Sequence, residues 1–247
     1  MLQISFLLIS VLFNILFLSK NHHNHHNNAT TTTIMPSAQD KVTREWDAMA
    51  GEWDDMAAGY RDEFLKLLWQ ETEIPTEDRS GLVVLDFGCA TGLLTEKLQS
   101  QVSKVIAMDV APTMIQVLQD KIRAGDWKNV EAYCAVAAHL DGETKTKLEQ
   151  WKGQVDVIAA SSVLNFVPAE DLEATMQFLS GLLKPKTGIL VHSDWPQGEE
   201  HPDGFTEEKA LGMYQKGGLS PKTTKTINIK MSGYEMSVVV GVATKST

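Results

Sequence analysis

The chain has 247 residues, of which 43% are apolar and 22% charged, and 22 Lys and Arg against 32 Asp and Glu give it a formal net charge of −10. That suits one large domain with a full hydrophobic core. It argues against a nucleic-acid partner, which needs clustered cations where this chain only scatters them. Two cysteines, Cys89 and Cys134, form neither a disulfide framework nor a zinc spacing, and they favour a reducing, cytoplasmic setting.

Residues 1–40 read as an apolar and low-complexity segment ahead of a domain at 41–247. Met1 to Leu18 is apolar apart from Gln3, Ser5, Ser10 and Asn14. It has the length of a membrane span or a signal core, without a basic start or a small-x-small cleavage site. The tract Asn21-His-His-Asn-His-His-Asn-Asn28 and the threonine run after it cannot pack a core. Three readings stay open. The segment is a signal or anchor, with Asn28-Ala-Thr30 as a glycosylation acceptor in the secretory pathway or at a membrane. It is a metal tract through His22, His23, His25 and His26. Or it is upstream sequence before a start at Met35, the reading closest to a cytoplasmic chain with no metal site. Membrane association is expected only if residues 1–18 are retained.

From Asp40 to about Trp69, apolar residues at Trp46, Met49, Ala50, Trp53, Met56, Ala57, Tyr60 and Phe64 recur at spacings of three and four. They share one face of a helix, or of two short helices. Pro75 and Thr76 to Ser80 form a linker. Gly81-Leu-Val-Val-Leu-Asp86 is a short apolar run of the kind that makes a buried parallel strand. Ala90 to Gln101 reads as a helix and Lys104 to Asp109 as a second strand. A helix opening on Pro112, where the missing N–H costs nothing, runs to about Ala124. Strands are expected at Val130 to Ala135, Val155 to Ala160 and Gly188 to Ser193, with a helix near Ala169 to Leu183. A polar insertion at 195–206 precedes a helix from Glu207 to Lys216. Two strands, Lys225 to Lys230 and Tyr234 to Ala243, leave no room for a crossover and should pair as an antiparallel hairpin. The sum is an α/β fold: a doubly wound, seven-stranded sheet with a C-terminal antiparallel hairpin.

Such a sheet binds ligands at the carboxyl ends of its strands, near the switch in strand order. Asp86-Phe-Gly88-Cys-Ala90-Thr-Gly92 lies at such an end, with small residues that let the chain approach a ligand closely. The helix behind it offers free N–H groups to an anion. Asp109, seventeen residues after Gly92, can accept both hydroxyls of a ribose. The loop lacks the G-x-G-x-x-G of a dinucleotide site, and no G-x-x-x-x-G-K-[ST] phosphate loop occurs. Asp86 would repel a pyrophosphate and suits an ammonium group. Ribose, carboxylate and ammonium without phosphate describe S-adenosylmethionine.

Val84-Leu-Asp-Phe-Gly-Cys-Ala-Thr-Gly92 resembles motif I of the class I S-adenosylmethionine-dependent methyltransferases, and Val105-Ile-Ala-Met-Asp109 resembles the acidic motif that follows it. Asp156-Val-Ile-Ala-Ala-Ser161 is similar to their fourth-strand motif, and Leu182-Leu-Lys-Pro-Lys-Thr-Gly188-Ile-Leu to the turn before strand five. Trp46-Asp-x-x-Ala50-x-x-Trp53-Asp54 is similar to the aromatic N-terminal helix of small-molecule members. The likeness covers roughly residues 42–243 and implies a Rossmann-like domain. It also implies methyl transfer to a small-molecule acceptor, with a protein side chain as acceptor or a non-catalytic binding module as alternatives. It puts Gly88, Ala90 and Gly92 at the methionine end, Asp109 at the ribose, Val110, Val136 and Ala137 around the adenine, and Ser161 near the sulfur. Trp53 would cap the cofactor, since aromatic faces attract a sulfonium as they do other cations. The chain departs from the pattern in two places. Cys134-Ala-Val-Ala-Ala138 has no acid for the adenine amino group, and Asn165 stands where many relatives carry histidine.

Methyl transfer from a sulfonium needs chiefly proximity and orientation, with a general base only for a protonated acceptor. The candidates for contact with the acceptor are Asp194, where strand five opens, His192 on that strand, and Asn165. His192 also reads as a hydrogen-bonded structural histidine, and Asn165 as a helix cap.

Overall fold

The computed structural model describes residues 37–199, 201–202, 204–231 and 234–246. All three readings of the N-terminal tract, from Met1 to a start at Met35, fall outside the described residues. No described helix is long and apolar enough to cross a membrane.

The aromatic N-terminal stretch is two helices, α1 (Ala38–Asp47) and α2 (Trp53–Thr72). Ser37 and Asp40 start α1 with a reciprocal capping box, each side chain taking the other's backbone N–H at 3.0 Å. The expected linker is a short 3-10 helix, Thr76–Gly81. Then come β1 (Val83–Phe87), α3 (Leu93–Leu98), β2 (Lys104–Asp109), α4 (Pro112–Gly125), β3 (Val130–Cys134) and α5 (Gly142–Glu149). The chain continues through β4 (Val157–Ser161), a 3-10 turn at Leu164–Phe166, α6 (Leu172–Leu182), β5 (Ile189–Asp194) and α7 (Glu207–Lys216). It closes on β6 (Leu219–Met231) and β7 (Tyr234–Lys245).

The sheet has seven strands in the order β3-β2-β1-β4-β5-β7-β6, all parallel as far as β5. β7 runs antiparallel to β5 and to β6, so the expected hairpin is present. Both faces are covered. Val84, Val157, Ala159 and Val191 turn to one side, where Phe64, Leu68, Leu94 and Leu98 of α2 and α3 pack. Leu85, Ile158, Ala160 and Leu190 turn to the other, against α5, α6 and α7. This is why the central strands read as continuous apolar runs rather than as alternation.

Two expectations need correction, and one helix was not foreseen. The helix expected from Ala90 begins only at Leu93, because Ala90 and Gly92 hold positive φ of 46° and 86° and cannot be helical. Helix α5, with a single buried residue, Leu148, has too little apolar periodicity to be foreseen. β6 starts six residues before the expected Lys225, since the Thr-rich stretch after Leu219 pairs with β7 through an irregularity at Pro221/Thr223.

Candidate active site

Strand order reverses between β1 and β4, and an open cleft lies beyond their carboxyl ends. It encloses about 1330 Å³ of non-atom space, open solvent at its mouth included. Its floor is the loop after β1. Gly88 sits at φ 75°, and a Cβ there would lie 2.5 Å from Val163 Cγ2 in the segment after β4, so no larger residue fits. Gly92 plays a different part from the one expected. It does not border the cleft, and a Cβ on it would lie 2.3 Å from Leu118, so its smallness lets α4 pack against the loop.

Two carboxylates face the cleft from neighbouring strands. Asp109 closes β2. One of its oxygens accepts the N–H of Ala90 at 2.9 Å and the other that of Ala111 at 2.9 Å. Each oxygen keeps a lone pair for a ligand hydroxyl. Burial raises its pKa, against the pull of those backbone N–H groups. Asp86 is 2% exposed, accepts the Thr95 hydroxyl at 2.6 Å, and titrates at about 7 because burial disfavours its charge. A cationic group in the cleft would restore the charged form. Ala90, Val110, Ser161 and Trp53 also line the cleft, as expected. Cys89 lines it too, but burial pushes its thiol well up, away from the reactive thiolate.

Val136 and Ala137 do not border the cleft. The backbone turns after β3, with Ala135 N–H bound to Asp109 O at 2.9 Å, so Ala135 reaches the cleft and Ala137 joins the core.

The three residues expected to meet the acceptor also lie off the cleft. His192 and Asp194 are 0% exposed. His192 Nδ1 lies 2.7 Å from Asp194 Oδ2 and its Nε2 lies 2.7 Å from the Tyr214 hydroxyl. Asp194 Oδ1 accepts the backbone N–H of Asn165 at 3.2 Å. The alternation of β5 turns residues 192 and 194 to the α7 side, whereas Ser193 turns to α2 and bonds Tyr60 at 2.8 Å. The chain Tyr214–His192–Asp194–Asn165 therefore holds the segment after β4 in place from behind.

The cleft gains residues that local sequence reading missed. Gln39 and Val42 join Trp46 on one face of α1, and Arg61 follows Tyr60 on α2. The periodicity at Trp46, extended back by two turns, would have found the first two. Ser162, Val163, Phe166 and Val167 come from the segment after β4; only tertiary folding puts them there. Tyr60 Oη lies 2.8 Å from both Ser162 and Ser193, and burial pushes its pKa up to about 12. Its ring stacks on Trp195 at 6.3 Å, and Trp46 meets Trp53 and Phe166 edge-on at 5.4 and 5.1 Å. Among the described residues, no cluster of His, Cys, Asp and Glu is arranged to hold a metal.

The profile of a family described as "Methyltransferase domain" matches residues 84–186, which span the loop after β1, both carboxylates and the segment after β4. The chain carries a class I S-adenosylmethionine-dependent methyltransferase domain. An uncharacterized methyltransferase of Schizosaccharomyces pombe is 28% identical to it over 165 residues, 64% of this chain and 56% of that protein. A magnesium-protoporphyrin O-methyltransferase of Rhodobacter capsulatus is 27% identical over 127 residues, 48% of this chain and 52% of that one. The chain thus spans about half the length of the curated relatives it matches. Among solved structures, the magnesium protoporphyrin IX methyltransferase of Synechocystis PCC 6803 with bound S-adenosylmethionine superposes with a TM-score of 0.64 at 18% identity. That alignment covers 87% of this chain and 100% of the other. At that identity it shows a shared fold.

Proposed function

We propose that the protein transfers the methyl group of S-adenosylmethionine to a small, largely apolar acceptor. The observation that carries this reading is the pair of buried carboxylates, Asp86 and Asp109, facing one cleft whose remaining wall is chiefly aromatic and aliphatic. Their chemistry fits the cofactor: Asp109 has acceptor capacity left for ribose hydroxyls, and among the described residues Asp86 has no cation paired with it to stabilise its charge. Arg61, 15% exposed and paired only through Nε with Asp62 among the described residues, would take the carboxylate. Val110 and Ala135 would flank the adenine, and Trp53 would cover the sulfonium.

When bound, the cofactor supplies an activated methyl that passes to an acceptor lone pair in one in-line displacement. The chain's part is orientation and exclusion of water. Ser161 and Ser162 edge the reacting centre, and Val163, Phe166, Val167 and Trp195 form the acceptor's wall. His192 and Asp194 act from behind this wall by fixing the segment that carries it, not as bases. Scattered cations and a net charge of −10 support a small molecule over a nucleic acid. So does the acceptor named for the Rhodobacter capsulatus relative, a porphyrin.

The test is incubation with methyl-tritiated cofactor and a panel of apolar phenols, carboxylic acids and amines. The expected result is label extractable into organic solvent with at least one class. Label confined to protein would replace this reading with side-chain methylation. Tight cofactor binding with no transfer on any acceptor would leave a non-catalytic binding module.

A further inference from the structure

Two Trp-Asp pairs, Trp46-Asp47 and Trp53-Asp54, stand seven residues apart. Their parts differ. Both tryptophans line the cleft and pack with Ala90, Ala111 and Met114, while both aspartates fasten the cap to the domain. Asp47 Oδ1 accepts the backbone N–H of Thr113 at 2.7 Å, in the first turn of α4. Asp54 Oδ1 accepts the hydroxyl of Thr91, and its Oδ2 takes the Lys121 ammonium of α4 at 2.6 Å. Thr91 is 0% exposed and lies inside the glycine loop.

That loop needs restraint. Gly88, Ala90 and Gly92 all hold positive φ, at 75°, 46° and 86°. Ala90 carries a Cβ, so its conformation persists only where the surroundings over-determine it. Four restraints come from the strand-and-loop half: the N–H groups of Gly88 and Cys89 to the Met108 carbonyl at 2.8 and 3.1 Å, Ala90 N–H to Asp109, and Gly92 N–H to the Cys89 carbonyl at 2.8 Å. A further one, Thr91 to Asp54, reaches the loop from the cap. One carboxylate therefore joins the roof of the cleft to its floor, while Trp46 meets Phe166 on the opposite lip.

We propose that Asp54 is a positioning residue that couples closure of the tryptophan cap to the shape of the glycine loop, so that the cofactor leaves only when cap and loop release together. Asp54 acts through Thr91 and Lys121 and does not itself touch the cofactor. The inference rests on the cofactor reading of the cleft.

Stopped-flow mixing of the full chain with S-adenosylhomocysteine, followed by tryptophan emission, separates association from release. Asp54→Ala and Thr91→Val should each speed release about tenfold while changing association by less than about threefold. The double variant should release no faster than Asp54→Ala alone, because Thr91→Val removes an interaction that Asp54→Ala already removes. Thr91→Ser should restore the wild-type rate. Unchanged release in natively folded Asp54→Ala and Thr91→Val, or additive effects in the double variant, would overturn the coupling and leave the cofactor site standing. If Asp54→Ala does not fold, the contrast of Thr91→Val with Thr91→Ser decides alone. No binding by folded wild type would overturn the cofactor reading itself.

Discussion

Asp109 and Asp194 both close a parallel strand at the same edge of the sheet, yet one faces the cleft and the other faces the core. Asp109, at the end of β2, spends one lone pair of each oxygen on a backbone N–H of the binding loops and keeps the others open. Asp194, at the end of β5, is enclosed, with its oxygens on His192 and Asn165. The lesson is that an acid at a strand's carboxyl end marks a site only when the pleat turns it toward the cleft. Each carboxylate accepts one hydrogen bond per oxygen, so what separates them is that the remaining lone pairs of Asp109 face the cleft while Asp194 is fully enclosed.

The sharpest way to break this comparison is to remove each carboxylate and follow cofactor affinity. Asp109→Ala deletes the proposed ribose partner and frees two loop N–H groups, and hydrogen bonds to a charged group are worth about 1.5–3 kcal/mol each. Calorimetry should show affinity for S-adenosylhomocysteine falling by roughly 100-fold or more. Loss below about tenfold would mean that Asp109 is no ribose anchor.

Asp86→Asn should weaken binding by about tenfold, since a charge-assisted bond to the ammonium becomes a neutral one. It should also stabilise the unliganded protein, with a definite pH signature. The folded-state pKa, about 7, lies above the ordinary 3.8. Between roughly pH 4 and 7 the folded chain therefore holds a proton that the unfolded chain has lost, and stability falls as pH rises through that window. At pH 8 the variant should melt roughly 5 °C above wild type, with the gap closing near pH 4. A variant melting below wild type at pH 8 would contradict the buried, uncompensated charge.

The same titration predicts a smaller effect on wild-type binding. Affinity for the cofactor should drop several-fold from pH 8 to pH 6 as Asp86 takes up its proton, roughly tenfold per pH unit at most. The Asp86→Asn variant should lack that dependence. A slope equal in both would assign it to another group.

The smallest effect on affinity is expected at β5. His192→Asn or Asp194→Asn breaks a buried network and should cost about 3 kcal/mol of stability. Binding of S-adenosylhomocysteine to the folded fraction should stay within about threefold of wild type. A tenfold loss of binding would place this chain in the cofactor site after all.

The same contrast explains what was legible in the sequence. β2 and α7 have the bounds expected, Lys104–Asp109 and Glu207–Lys216, because each couples strong apolar patterning to a clear end signal. The place of Asp86, Gly88, Ala90 and Asp109 at the cleft was legible because all four lie within one strand-helix-strand unit, β1-α3-β2. The mistakes share a cause. Asp194 and Asn165 were expected at the cleft from their place in the chain, and His192 either there or as a hydrogen-bonded structural histidine; which holds depends on the pleat and on Tyr214, twenty-two residues beyond His192. Val136 and Ala137 were displaced by a turn that brings Ala135 forward instead. Arg61, Val163 and Phe166 meet only through tertiary packing, with no spacing in the sequence to join them.

The most direct test of the central claim is calorimetric titration of the wild-type chain with S-adenosylhomocysteine, with NAD as the comparison ligand. The account predicts one site per chain, micromolar affinity for S-adenosylhomocysteine and no heat from NAD. Binding of NAD, or of neither ligand by well-folded protein, would contradict it.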